Sequence, residues 1–377
     1  MKIGIITFHA SHNYGSMLQA WALQTYLAKQ GHEVEIINYR SFFQKRMYFK
    51  AFEWGNKNAW KSSLKRLFLY PSSFRSLNKK WHLFEDFLHK ELYLTPEFNT
   101  VEQLYQAKLD YDVVIVGSDQ IWNTDTKECT EAYFAKFVNC PKISYAASFG
   151  PDVSHIKVDF IRKHLKGFQA LSVREEAGKQ FLIKNGLADK TEIVCDPTLL
   201  LESQDYNALI DEKPLIEEDY IFFYTPHAVP RAYFPIANKI GEQLGLPVLT
   251  DRAYYPNDIK QYKHIRNYPE VGPKEFLNLI KNAKLILGGS FHMLVFSLLF
   301  HKNFYSINAD KDARTNHLIT ELKLNERIIS LNDGIINDEG NVVFSSDKET
   351  ILLKMKSLSK CFLQNNIEKI TNKINNG

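Results

Sequence analysis

The chain has 377 residues, of which 45% are hydrophobic and 24% charged, with a net charge of +4. This is the composition of an ordinary soluble globular protein of two domains, and it excludes disordered, collagen-like and disulfide-framework classes. Four scattered cysteines, Cys129, Cys140, Cys195 and Cys361, show no metal-like spacing and are expected as free thiols of a cytoplasmic protein.

The opening MKIGIITF reads as a strand over 2–8, without the longer apolar run and small-residue cleavage site of a signal peptide. HASHNYG follows as a polar turn, and 16–30 reads as a helix with an apolar stripe through Met17, Trp21, Leu23, Tyr26 and Leu27. Gly31 closes it, and 33–39 is the next strand. The loop of this β-α-β unit is not G-x-G-x-x-G, so the dinucleotide fingerprint is absent. His9 and His12 lie three apart with no third ligand nearby, which does not favour a metal.

Residues 41–80 hold ten Lys or Arg and one acid, Glu53, so this segment carries +9 and the remainder −5. Aromatics are interleaved with the charge. The composition suits an anionic lipid or polyanionic surface, and equally a solvated helical excursion packed on its own domain; nucleic acid is disfavoured against both.

Helices are expected over 81–91 and 101–108. The stretch YDVVIVGSDQIWN (111–123) then places four β-branched residues, Val113 to Val116, before a Gly-Ser-Asp turn. Ser118 and Asp119 could cap a following helix, or line a ligand crevice at the end of a buried strand. Strands over 142–147, 170–173 and 192–195 run into SYAASFG, SVREE and CDPT, with helices over 160–168 and 176–185. Parallel strands would bring five polar loops to one sheet edge.

Residues 201–218 turn polar and acidic and read as a linker. Strands over 219–225, 247–250, 264–267, 284–287 and 302–307 follow, with helices over 232–244, 273–282, 290–300 and 315–324. A last helix, possible to read as broken, covers 350–374. The most apolar stretch, 285–300, is too short to span a bilayer and contains Ser290 and His292. GGSFH sets Ser290 and His292 at a helix start, where N–H groups attract anions; the competing reading of His292 is a hydrogen-bonded core histidine. The expected fold is α/β, two Rossmann-like domains facing across a cleft in the GT-B manner. The units are 1–203 with the 41–80 excursion, 204–346, and a C-terminal helix 347–377 crossing back to the first domain.

Together these motifs resemble the polysaccharide pyruvyltransferase family. The resemblance rests on NYGSMLQAWALQ (13–24), YDVVIVGSDQIWN, KISYAASFG (142–150), LSVREEAG (171–178), VCDPTLLL (194–201), GPKEFLNLIKNAK (272–284), SFH (290–292) and RTNHLITELKLNER (314–327). One departure is Met293, where the family usually has glycine after S-F-H. The resemblance implies transfer of a pyruvyl group from phosphoenolpyruvate to a sugar diol, giving a cyclic ketal and phosphate, in cell-surface polysaccharide biosynthesis. It implies no cofactor and no metal; on the composition of 41–80 no nucleic acid partner is expected. It assigns His292 as the acid/base group or a phosphate contact, and Arg174, Arg314 and Ser290 to the donor's anions. Asn13, Gly15, Ser16, Ser118 and Asp119 would line the N-terminal side of the cleft. The acceptor would be a saccharide, free or polyprenyl-linked, with peripheral membrane contact through 41–80. Two alternatives stay open: a GT-B glycosyltransferase using a nucleotide sugar, and a non-catalytic saccharide- or membrane-binding relative, which Met293 suggests.

Overall fold

A computed structural model describes residues 1–48, 64, 71–226, 232–252, 261–330 and 346–376. Most of the basic-aromatic excursion lies outside the described residues; its described ends are a short helix, Phe42–Met47, and the first part of a long helix, Pro71–Glu91.

The described strands form two six-stranded sheets, and every strand pair in them is parallel. The first contains β1 (Lys2–Ile6), β2 (Glu33–Ile36), β3 (Val113–Val116), β4 (Lys142–Ser144), β5 (Phe168–Val173) and β6 (Thr191–Ile193), in the order β2-β1-β3-β4-β5-β6. The second contains β7 (Ile221–Tyr224), β8 (Val248–Thr250), β9 (Ile265–Asn267), β10 (Leu285–Gly288), β11 (Phe304–Ile307) and β12 (Ile328–Ile329), in the order β12-β11-β10-β7-β8-β9. Strand order reverses between β1 and β3 in one sheet and between β7 and β10 in the other. At such switch points adjacent loops splay apart and leave a crevice beyond the strand C-termini. HASHNYG and GSDQIWN flank the first crevice, Thr225 and GGSFH the second.

The helix α1 (Tyr14–Lys29) starts two residues before the expected Ser16, because Asn13 caps it and accepts from the Gly15 and Ser16 N–H groups. Every residue from Tyr14 to Gln24 is buried, so this helix lies inside the molecule and does not show one apolar stripe. A single apolar cluster joins α1 to residues of both sheets, to α2 (Pro71–Glu91), α3 (Pro273–Asn282), α4 (Phe291–Leu299) and α5 (Ser346–Asn375).

Three local expectations are revised. GSDQIWN runs into turns, so Ser118 and Asp119 cap no helix. Residues 201–218 are no loose linker: Ser203–Asn207 is helical, and Tyr206, Leu209 and Ile210 are buried. The last helix is one unbroken element of 30 residues. It packs back on the first sheet's side, where Ser359 Oγ accepts from Cys195 N (2.8 Å) and Phe362 meets Tyr145.

Candidate active site

The site is built where the two crevices face each other. Arg174 directly follows β5, and Asp196 stands three residues beyond β6, just before a Pro-initiated turn. Asp196 Oδ1 accepts from Thr198 N and Oγ1 (3.0 and 2.7 Å), which fixes the carboxylate. Its Oδ2 accepts from Arg174 Nη1 (2.5 Å) and lies 3.4 Å from His292 Nε2. Burial alone would raise the Asp196 carboxyl; His292 and Arg174 outweigh it and hold the group well below the usual carboxylate range. Arg174 and His292, from opposite halves, therefore meet on one buried anion.

His292 lies in the first turn of α4, whose N-cap is Ser290; Ser290 Oγ accepts from Met293 N (3.3 Å). The imidazole lies against the backbone of Gly15, so closely that a Cβ there would overlap the ring. Gly15 is thus required by a close approach across the cleft. Met293 is fully buried, its sulfur 3.0 Å from the place a Cβ would take at Gly288, so the family departure fills core volume behind β10.

Arg174 stacks on the Phe291 ring, 4.5 Å from its centroid. Its Nε and Nη2 are buried without a hydrogen-bond partner among the described residues, as are His292 Nε2 and Glu175 Oε2. Glu175 Oε1 accepts from Ser148 Oγ and Phe149 N (2.9 and 3.1 Å). Burial raises its carboxyl above the usual range against the pull of Arg174 and Arg314. Arg174 Nε and Glu175 Oε2 are 3.8 Å apart, too far for a good hydrogen bond. Arg314 is gripped bidentately by Asp312 (2.9 and 2.6 Å), and that carboxylate, against the cost of burial, keeps the guanidinium charged.

On the N-terminal side, Ser16 Oγ donates to Asp119 Oδ2 (2.5 Å), and Asp119 Oδ1 lies 4.0 Å from Arg174 Nη2. Asp119 has φ +66°, a left-handed turn position in which Asp is tolerated. Ser118 is fully buried: its hydroxyl donates to Ala146 O (2.8 Å), so it supports the turn. Asn13 caps α1 through Oδ1. Of the nominated residues, the structure thus brings Gly15, Ser16, Asp119, Arg174 and His292 into one cluster with Arg314 beside it; Ser118 lies beneath, and Ser290 is engaged as a cap.

Sequence reasoning missed Asp196 and Gln19. Asp196 was visible as an acid directly after a strand and before proline. Gln19 is buried in the middle of α1; its amide nitrogen donates to Thr7 Oγ1, Phe8 O and Ser16 O, and its Oε1 accepts from Ser118 N. It ties the loops after β1 and β3 together. His9 is a satisfied core histidine, bonded to Thr7 O and Asn38 Oδ1, and burial lowers its proton affinity. Among the described residues no group of three or more His, Cys, Asp or Glu is arranged to hold a metal ion. Nor is any described helix long and apolar enough to cross a membrane.

Two parallel six-stranded sheets with helices, opposed across a polar cleft, define a two-domain Rossmann-like α/β protein of the GT-B kind. The polysaccharide pyruvyl transferase family model matches residues 13–311, and the chain belongs to that family, a family of transferases. No curated protein matches the chain. Among solved structures, UDP-GlcNAc 2-epimerase from Neisseria meningitidis bound to UDP-GlcNAc superposes with a TM-score of 0.54 at 12% identity, covering 98% of this chain and 100% of that one. A glycosyltransferase from Rickettsia africae gives 0.50 at 11% identity, covering 100% and 99%. Similarity at this level concerns the fold alone.

Proposed function

We propose that the protein transfers a pyruvyl group from phosphoenolpyruvate to a sugar diol of a saccharide or lipid-linked saccharide, in the cytoplasmic stage of cell-surface polysaccharide synthesis. What carries the reading is Arg174: a buried guanidinium with two unpartnered N–H groups, beside an unpartnered imidazole nitrogen. Buried donors without acceptors are costly, and a ligand carboxylate or phosphate would satisfy both in one fork. Arg314 adds a second fixed cation for the donor's other anion.

In the proposed reaction C3 of the enol gains a proton and C2 becomes electrophilic. One acceptor hydroxyl adds to C2, the C2–O bond to phosphate breaks, and the second hydroxyl closes the ketal. Two hydroxyl protons leave: one is balanced by the proton gained at C3, the other departs with phosphate. His292, held by Asp196 and Gly15, is the proton carrier between hydroxyl and enol.

Phosphoenolpyruvate should raise the melting temperature, as any ligand of the native state does, while UDP-N-acetylglucosamine should not. Stabilisation by the nucleotide sugar alone would replace this reading with glycosyl transfer. We further propose peripheral membrane contact near the described edge of the basic segment, where Phe42, Phe43 and Met47 are exposed beside Lys45. Sedimentation with acidic liposomes should fall in high salt; equal recovery with neutral lipid would refute the contact.

A further inference from the structure

Beside the charged cluster lies a cavity of about 240 Å³. Its walls come from both halves. His12, Asn13 and Tyr14, with Tyr48 and Lys80, face Tyr224 at the end of β7, Thr225 and Pro226 beyond it, and Asp251 and Arg252 after β8. Asn13 and Tyr14 immediately precede Gly15, on which the His292 ring rests, so the cavity wall and the imidazole belong to one loop contact.

Its chemistry is unlike that of the Arg174 site. Lys80 Nζ is already neutralised by Asp251 Oδ2 (2.7 Å), which also accepts from Tyr14 OH (2.5 Å). The rings of Tyr48, His12, Phe84, Tyr14 and Phe276 stack in one column at centroid spacings of 5.5, 5.0, 5.2 and 4.4 Å. Tyr48 forms the end of that column and lines the cavity. Thr225 Oγ1 is buried with no hydrogen-bond partner among the described residues. It faces Gly289 across the second switch point, its Cγ2 3.6 Å from where a Cβ would stand. The amide nitrogen of Asn13 takes no part in capping α1, which uses only Oδ1.

We propose that this cavity is the acceptor subsite, and that it takes a single pyranose of the acceptor saccharide. The assignment rests on the pyruvyl-transfer reading above. A pyranose offers apolar C–H faces and a rim of hydroxyls. The cavity offers aromatic rings, an amide donor and, among the described residues, a carboxylate with one oxygen unspoken for and a hydroxyl lacking a partner. Pockets for drug-sized ligands span roughly 300–1,000 Å³, so this smaller one suits a single sugar ring.

The test uses the full chain and the methyl pyranosides of galactose, glucose and mannose as probes, read by saturation-transfer NMR. Wild type should transfer saturation to at least one of them. Thr225→Phe, which fills the cavity, should abolish that transfer and keep the rise in melting temperature with phosphoenolpyruvate. Thr225→Val should leave the melting temperature unchanged, because no protein bond is lost, and weaken glycoside binding about 3- to 10-fold, the worth of one hydrogen bond. No transfer from wild type to any probe, or undiminished transfer in Thr225→Phe, would overturn the subsite. If wild type binds glycoside but is not stabilised by phosphoenolpyruvate, the donor reading fails while the saccharide site stands.

Discussion

Arg174 spends one terminal nitrogen on Asp196 and keeps two N–H directions for something the chain does not supply. Lysine at that position would keep the charge and lose both the fork and the stacking on Phe291. In Arg174→Lys we expect phosphoenolpyruvate affinity to fall roughly 10- to 100-fold, the worth of a charged hydrogen bond, read from the ligand-dependent melting shift. An unchanged shift would remove Arg174 from the donor site. His292 is the complementary case. Its Nε2 has no good hydrogen bond at 3.4 Å from Asp196, and Asp196 keeps Arg174 and Thr198 as bonded partners without it. His292→Asn should melt close to wild type and release phosphate roughly 10²- to 10⁴-fold more slowly with a competent acceptor. A large fall in melting temperature with turnover retained would instead mark a core histidine. Both residues were legible in the sequence because each follows a recognisable strand-and-turn pattern. Asp196 was not singled out: its importance comes from lying between Arg174 and His292, and no spacing encodes a contact between residues 96 positions apart. Gly15 was legible as a loop glycine, but its reason, the imidazole resting on it, is tertiary.

At the scale of elements, the strands were easy to find and the helix environments were not. Val113–Val116 and Pro273–Asn282 fall where the pattern puts them, since an uninterrupted β-branched run and a Pro-led amphipathic segment are strong local signals. The stripe expected on α1 was too narrow because both halves pack on it. Residues 201–218 were misleading for the opposite reason: their acids are exposed, while Tyr206, Leu209 and Ile210 turn into the core. A polar network joins α2 to the first sheet and has a clear pH signature. Glu85 accepts from Arg40 (2.7 Å) and is bonded to His12 (2.8 Å). Burial pushes its carboxyl up, but those two partners bring it down to about 2. A carboxylate lowered on folding stabilises the native state fully above its unfolded value, about 4.3, and loses that contribution as pH falls toward 2. The shift corresponds to about 3 kcal/mol, an upper figure because Arg40 and His12 are themselves buried. Glu85→Gln should lower the denaturation midpoint at pH 7, and should flatten the pH 2–5 part of the stability curve. Parallel curves for variant and wild type would show that another carboxylate governs acid unfolding.

The whole molecule is two sheets bound by one shared interior. Tyr14 of the first half stacks on Phe276 of the second and donates to Asp251; Lys274 pairs with Glu91 (2.6 Å), and Ala313 N donates to Pro151 O. The last helix then returns to the first half, with Phe362, Leu363, Ile367 and Ile370 all in the cluster that also holds α1, α3 and α4. A cleft enzyme with separate cores would be expected to melt in two steps and to hinge at its linker. Here the linker is packed and the core is continuous across the halves, so loss of either half strips apolar contacts from the other. We therefore expect one cooperative calorimetric transition for the full chain. Phe362 offers the sharpest probe, since it lies at the return of the last helix and is 4% exposed. Phe362→Ala should cost about 3 kcal/mol, the lower end for a buried phenylalanine. The decisive quantity is where that loss appears. In a shared core it lowers the single transition as a whole, including the fluorescence change of Trp122, which is buried in the first half's other apolar cluster. If the substitution instead splits the melt, leaving a first transition near wild type and a second displaced, the halves are independent folding units and the site between them is a hinge.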